Sequence, residues 1–224
     1  EAEFPLWHVA RDDGYETSRL ALPGWLASFE GRVAGRPVAV IPQRSILIVG
    51  GDGDERCLKR MIEVGEREYA ASPRNISPAL YTVDDSGAVV PLVLPPRHLL
   101  ANEVALGHLR LAIAEYEAGK EVLQNQVGDD VYVASYIGIR REDGTVSSYT
   151  VWTEGVPSIL PRAAEIALVE AVDAEAENVF RVPWEEVERL GLLEALPDLD
   201  PPRWRTRDWP TRAVLRQLRK VAVA

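Results

Sequence analysis

Apolar positions recur along this chain with two spacings, and the shorter one is plainest between Val131 and Thr153, where runs rich in Val, Ile, Thr and Tyr flank Glu142-Asp143-Gly144. Asp-Gly supplies the positive φ values of a tight turn, so the stretch reads as a β-hairpin. A turn centred on Asp143 and Gly144 sets Gly138 opposite Tyr149 and Tyr136 opposite Val151. Two further Asp/Gly turns, Arg11-Asp12-Asp13-Gly14 and Asp84-Asp85-Ser86-Gly87, predict hairpins over residues 5–22 and 79–94, with Pro91 placing its strand at a sheet edge or a bulge. The unbroken apolar runs PVAVIP and SILIVG suit strands covered on both faces.

The longer spacing marks helices. Leu58, Met61, Ile62, Gly65 and Tyr69 form one stripe between Asp54 and Ala71, which Ser72-Pro73 ends. A longer helix is expected from His98 or Asn102 to Gln124, weakened at Gly107, where a strand can approach closely, and bent or frayed at Gly119. Pro183 starts a helix over WEEVERLGLLEAL, and Asp208 caps a last one carrying Val214, Leu215 and Leu218. Residues 163–172 fit helix and strand equally. Hairpins followed by helices point to an α+β fold, an antiparallel or mixed sheet built from several hairpins with helices packed on it. Residues 5–224 are read as a single domain, any subdivision falling near residues 95–100.

Composition narrows the setting. Of the 224 residues 46% are hydrophobic, enough for a large core, yet no run of 18 uncharged apolar residues occurs, so no membrane partner is expected. Glu1-Ala2-Glu3-Phe4 resembles the remnant of a yeast secretion leader with a cloning site and is left out of the fold reading. Cys57 is the single cysteine, which excludes an internal disulfide and suits a reducing cytoplasm. The excess of Arg over Lys, with abundant Ala and Val, suggests a GC-rich bacterial source. A net charge of −10 works against general affinity for nucleic acid.

Chemistry is harder to find. The turn in ILIVGGDGDERC lacks the third glycine of a dinucleotide fingerprint and the Walker lysine, so it reads as a helix cap. His108 lies on the long helix with Glu115 two turns further on, a pair suited to a general base near neutral pH. Trp152 and Glu154 at the hairpin's exit place a ring beside a carboxylate, and Tyr136 and Tyr149 add aromatic surface for a substrate. No metal-ligand spacing, cofactor motif, GxSxG or SxxK occurs. Residues 203–220 hold six Arg and one Lys against Asp208, with Trp204 and Trp209 between them. Such a tail can bind single-stranded nucleic acid, but charge complementarity favours internal packing against Glu185, Glu186, Glu188, Asp198 and Asp200.

The expected function is therefore that of a metal-independent hydrolase acting on a small apolar or aromatic lactone or ester, with detoxification as one setting. His108, Glu115 and Glu154 would be its catalytic groups, and Trp152, Tyr136 and Tyr149 its substrate contacts. The alternative is a non-catalytic interaction or ligand-binding protein, favoured by the absence of every catalytic motif sought. A nucleic-acid binder working through the basic C-terminal helix ranks last. Oligomeric state is not readable from the chain.

Overall fold

The computed structural model describes residues 6–9, 14–171 and 178–223. The leader-like residues 1–4 and the Arg11-Asp12-Asp13 part of the first turn lie outside these. The fold is α+β, with helices packed on antiparallel and mixed sheets. Contacts gather into two compact units, Glu1–Leu111 and Ala112–Ala224.

In the first unit β1 (Trp7–His8), β2 (Pro37–Gln43), β3 (Ile46–Gly51), β4 (Asn75–Val83) and β5 (Val89–Pro91) form an antiparallel sheet ordered β1-β3-β2-β4-β5. The continuous apolar runs occupy the inner strands because both faces are covered. Val38, Val40, Ile48 and Leu80 pack against Cys57, Leu58 and Met61 of α1 (Glu55–Ala71) and Val104 of α2 (Ala101–Ala118). On the reverse face Ala39, Leu47, Val49 and Val83 meet Leu20, Leu26 and Phe29 from two short 3-10 turns. One of those turns, Thr17–Ala21, replaces the second arm of the hairpin expected over residues 5–22, and Trp7 and His8 pair with Val49 and Ile48 instead. A 3-10 turn sends Leu20 into the core. A strand there would have had to find a new partner at the sheet's rim.

The glycine-rich turn after β3 is a cap, as its residues suggested. Asp54 accepts a hydrogen bond from the Arg56 amide at 2.8 Å, and Asp52 accepts from the Arg36 amide and Nε at 2.7 and 2.8 Å. Pro91 does sit on the edge strand β5. At Gly107 an added Cβ would lie 3.0 Å from the Pro78 carbonyl oxygen, so the glycine lets α2 ride close to β4. Gly119 divides the long helix into α2 and α3 (Lys120–Val127).

The second unit holds two four-stranded sheets. Its strands are β6 (Tyr132–Val133), β7 (Ile137–Arg140), β8 (Val146–Thr153), β9 (Ser158–Pro161), β10 (Glu165–Glu170), β11 (Asn178–Pro183), β12 (Leu193–Leu196) and β13 (Arg203–Thr206). They are ordered β11-β10-β8-β7 and β12-β13-β9-β6, with parallel pairs at β8/β10 and β6/β9. Trp152, Ile166, Leu168 and Val182 pack against Trp184 and Val187 of α4 (Trp184–Arg189) and Leu215 and Leu218 of α5 (Arg212–Arg219).

The hairpin exists, with two corrections. Its turn carries three loop residues: the Arg141 amide donates to the Thr145 carbonyl at 2.8 Å, Gly144 donates back to Arg141 at 3.0 Å, and Gly144 has φ +84°. A turn ending in a left-handed glycine is one residue longer than the two-residue form, and one residue moves every side chain to the other face. Ile137 therefore stands opposite Tyr149, and Gly138 opposite Ser148. The first arm is also split, since Tyr132 and Val133 leave to pair with β9 in the other sheet. Residues 165–170 are strand, settling the open stretch, because Ile166 and Leu168 find burial between β8 and β11. The helix from Pro183 is short, as Leu193–Leu196 pairs with β13. Thr211, not Asp208, caps α5, accepting from the Val214 amide at 3.4 Å.

Candidate functional site

Strand β8 alternates buried Ser148, Thr150 and Trp152 with half-buried neighbours, so Trp152 enters the core face at the strand's last turn of pleat. Trp209 reaches it from the loop after β13. The rings meet edge to face, centroids 5.0 Å apart and planes at 77°. Both belong to the lining of a cleft of about 610 Å³, with the turn Gly155–Pro157 and Thr206, Arg207, Asp208 and Glu194. Thr206 is fixed there, its hydroxyl accepting from the Ser158 amide at 2.9 Å and donating to the Ser158 carbonyl at 3.2 Å. The cleft's volume is in the range of small-molecule sites, but its lining is as polar as it is apolar, so Thr206, Arg207, Asp208 and Glu194 would weigh as much in recognition as the ring.

The residues anticipated as a site are dispersed. His108, in the first unit, is half-buried with Nε2 3.1 Å from the Leu92 carbonyl oxygen and its ring edge-on to Tyr81. Burial holds its pKa below the ordinary value, with the Leu92 and Leu80 carbonyls pulling the other way. Glu115 lies on α2 in the second unit, its pKa raised by burial and by the charge of Asp200. Glu154 accepts from the Ala171 amide at 3.1 Å, a strand-end contact. Tyr136 stacks on Tyr116 at 5.1 Å and 14°, while Tyr149 pairs across to Ile137 with the Arg181 guanidinium 6.0 Å from its ring. Of the anticipated groups, Trp152 is the one that lines the cleft.

Two arrangements escaped the sequence. Glu194, Asp208 and Trp209 reach the cleft from segments 42 to 57 residues beyond Trp152, with no local motif to link them. Lys120, the first residue of α3, donates through Nζ to Ser135 Oγ between β6 and β7, both side chains half-buried. Fifteen residues separate that pair, and only the return of the chain along β6 brings them together. Among the described residues no three His, Cys, Asp or Glu side chains gather as a metal site, and no helix is long and apolar enough to cross a membrane. Compared with models of known protein families, with curated proteins and with solved structures, the chain matches none.

Proposed function

We propose that this chain is a ligand-binding protein whose cleft beside Trp209 takes a small planar molecule. The observation that carries the reading is a cleft of about 610 Å³ lined by the half-buried Trp209 ring, which packs edge to face on the buried Trp152, with Glu194, Asp208 and Arg207 in the same lining. Ring faces supply contact area at little entropic cost, and the charged rim would orient polar substituents. A reducing cytoplasm, which suits the buried lone thiol of Cys57, is the setting proposed for it. The test is titration with adenosine, uridine and p-nitrophenol, followed by tryptophan fluorescence and calorimetry. Saturable binding of at least one, weakened about tenfold or more by Trp209→Leu in a folded protein, is expected from the loss of a stacked ring. Saturation by none of them, or binding indifferent to Trp209→Leu, refutes it.

A hydrolase of small lactones or esters is the second reading, and the Lys120–Ser135 contact favours it. Ser135 Oγ would attack the carbonyl carbon with its proton passing to the neutral Lys120 Nζ and on to the leaving alkoxide, and water, deprotonated by the same amine, would then displace the acyl group from Ser135 as the free acid. Release of p-nitrophenol from its acetate ester should then vanish in Ser135→Ala and in Lys120→Met, and survive His108→Gln. Equal rates in all three variants would remove this reading.

A further inference from the structure

The basic tail packs internally only in part. Arg203 is buried, donating to the Tyr116 carbonyl at 2.8 Å and the Ala134 carbonyl at 3.5 Å, and Arg219 pairs with Glu170. Of the acids expected to neutralise the tail, Glu185 pairs with Arg162 and Glu186 with Arg189. Arg207, Arg212, Arg216 and Lys220 are exposed, and among the described residues none of them makes a hydrogen bond or ion pair through its charge.

Their placement is ordered. Arg212, Arg216 and Lys220 follow at intervals of four along and just past α5, one stripe on the side away from the buried Leu215 and Leu218. Arg207 lines the Trp152–Trp209 cleft, and Arg212 follows it by five residues, just past Thr211, the cap of α5. Like charges one turn apart repel, and among the described residues no carboxylate pairs with these four; Asp208 and Glu194 line the same cleft as Arg207, so an arriving anion gains most at Arg212, Arg216 and Lys220.

We infer that stripe and cleft together bind single-stranded nucleic acid, its phosphates along Arg207, Arg212, Arg216 and Lys220 and one base against Trp209. The base contact rests on the cleft reading above; the phosphate contacts do not. Guanidinium forks match phosphate oxygens, and every base offers a ring face to an aromatic wall, which an acidic peptide lacks. An anionic membrane is disfavoured because the apolar side of α5 is already in the core, leaving nothing to insert. The net charge of −10 is screened beyond about 8 Å at physiological salt, so the stripe acts at contact while general affinity stays low.

The experiment is fluorescence anisotropy of labelled decauridylate against the full chain over a range of salt. The expected result is binding at about 50 mM salt, with log K falling against log salt at a slope of about −3 for four contacts on a single strand. Arg212→Ala with Arg216→Ala should weaken it about tenfold or more and flatten the slope, whereas the paired lysine replacements retain most of it. Trp209→Leu should weaken it and leave the slope alone. No binding of decauridylate, or equal binding by polyglutamate or by phosphatidylserine vesicles, overturns the inference. Adenosine bound without decauridylate would overturn it and leave the cleft reading standing. Decauridylate bound with nucleosides ignored and Trp209→Leu silent would overturn the base contact and the cleft reading, and leave the phosphate stripe.

Discussion

Glu165 is 3% exposed on β10 and holds two guanidinium groups, Arg141 in direct contact with Oε1 and Arg181 at 3.6 Å from Oε2. Ser147 also donates to it at 3.0 Å. Removing the charge leaves two cations on a largely buried sheet face, and Glu165→Gln should cost about 2–4 kcal/mol, the low side of buried-pair losses because both arginines are part exposed. Urea unfolding followed by tryptophan fluorescence reads it; a change within about 0.5 kcal/mol would show the cluster to be decoration. His108 makes a prediction in pH. Its folded pKa lies below the ordinary value of about 6.5, so the unfolded chain takes up the proton more readily. Its share of stability is whole above that value and is lost as pH falls through the folded pKa. Between about pH 7.5 and about pH 5.5 the wild-type urea midpoint should fall further than that of His108→Gln, and equal falls would discard the assignment. At this scale the sequence marked Trp152 as a ring at a strand end, because a strand followed by a turn is a local pattern. It could not mark Trp209 or the Ser135–Lys120 pair, whose neighbours are set by strand pairings far along the chain.

The hairpin shows what a local pattern settles between whole elements and what it leaves free. Asp-Gly announced the reversal between Ile137 and Val151, while the length of the turn depended on the Asp143 carboxylate accepting from the Thr145 amide and hydroxyl at 2.9 and 2.7 Å. Gly144 at φ +84° meets no neighbour within 4 Å, so Gly144→Val tests backbone strain alone and should cost about 1–2 kcal/mol. A melting temperature unchanged by it would refute the left-handed turn. Gly107→Ala is the opposite case: the helix conformation is permitted, but the methyl meets the Pro78 carbonyl, and a loss of about 1–3 kcal/mol is expected on the same assay. A neutral or stabilising result would mean α2 shifts freely off β4. Residues 163–172 and 193–196 were illegible for one reason. Their apolar residues are too few to establish a period, and the partner strands β8, β11 and β13 decide the conformation.

Across the whole molecule the α+β class was legible because hairpins and amphipathic helices are local signals, whereas the two parallel pairings of the second unit join strands separated by other strands. Each unit has its own core, one around Val38, Leu58 and Leu80 and the other around Trp152, Ile166 and Leu218. Four of the six tryptophans, Trp152, Trp184, Trp204 and Trp209, lie in the second unit and report it once Trp7 and Trp25 are replaced by Phe, while Cys57, 3% exposed with its thiol pKa raised by burial, reports the first. Glu165→Gln should therefore shift the fluorescence transition in urea and leave the midpoint of Cys57 labelling in place. Coincident shifts would make the two units one cooperative body.

Strand β9 lies between β8 and β10 in the chain but belongs to the neighbouring sheet. A growing polypeptide that has emitted residues up to about 160 thus owns a ribbon whose next ladder position is vacant, and its would-be occupant has yet to appear. Fragments released at that point carry an unsatisfied rim, and they should clump where the finished chain does not.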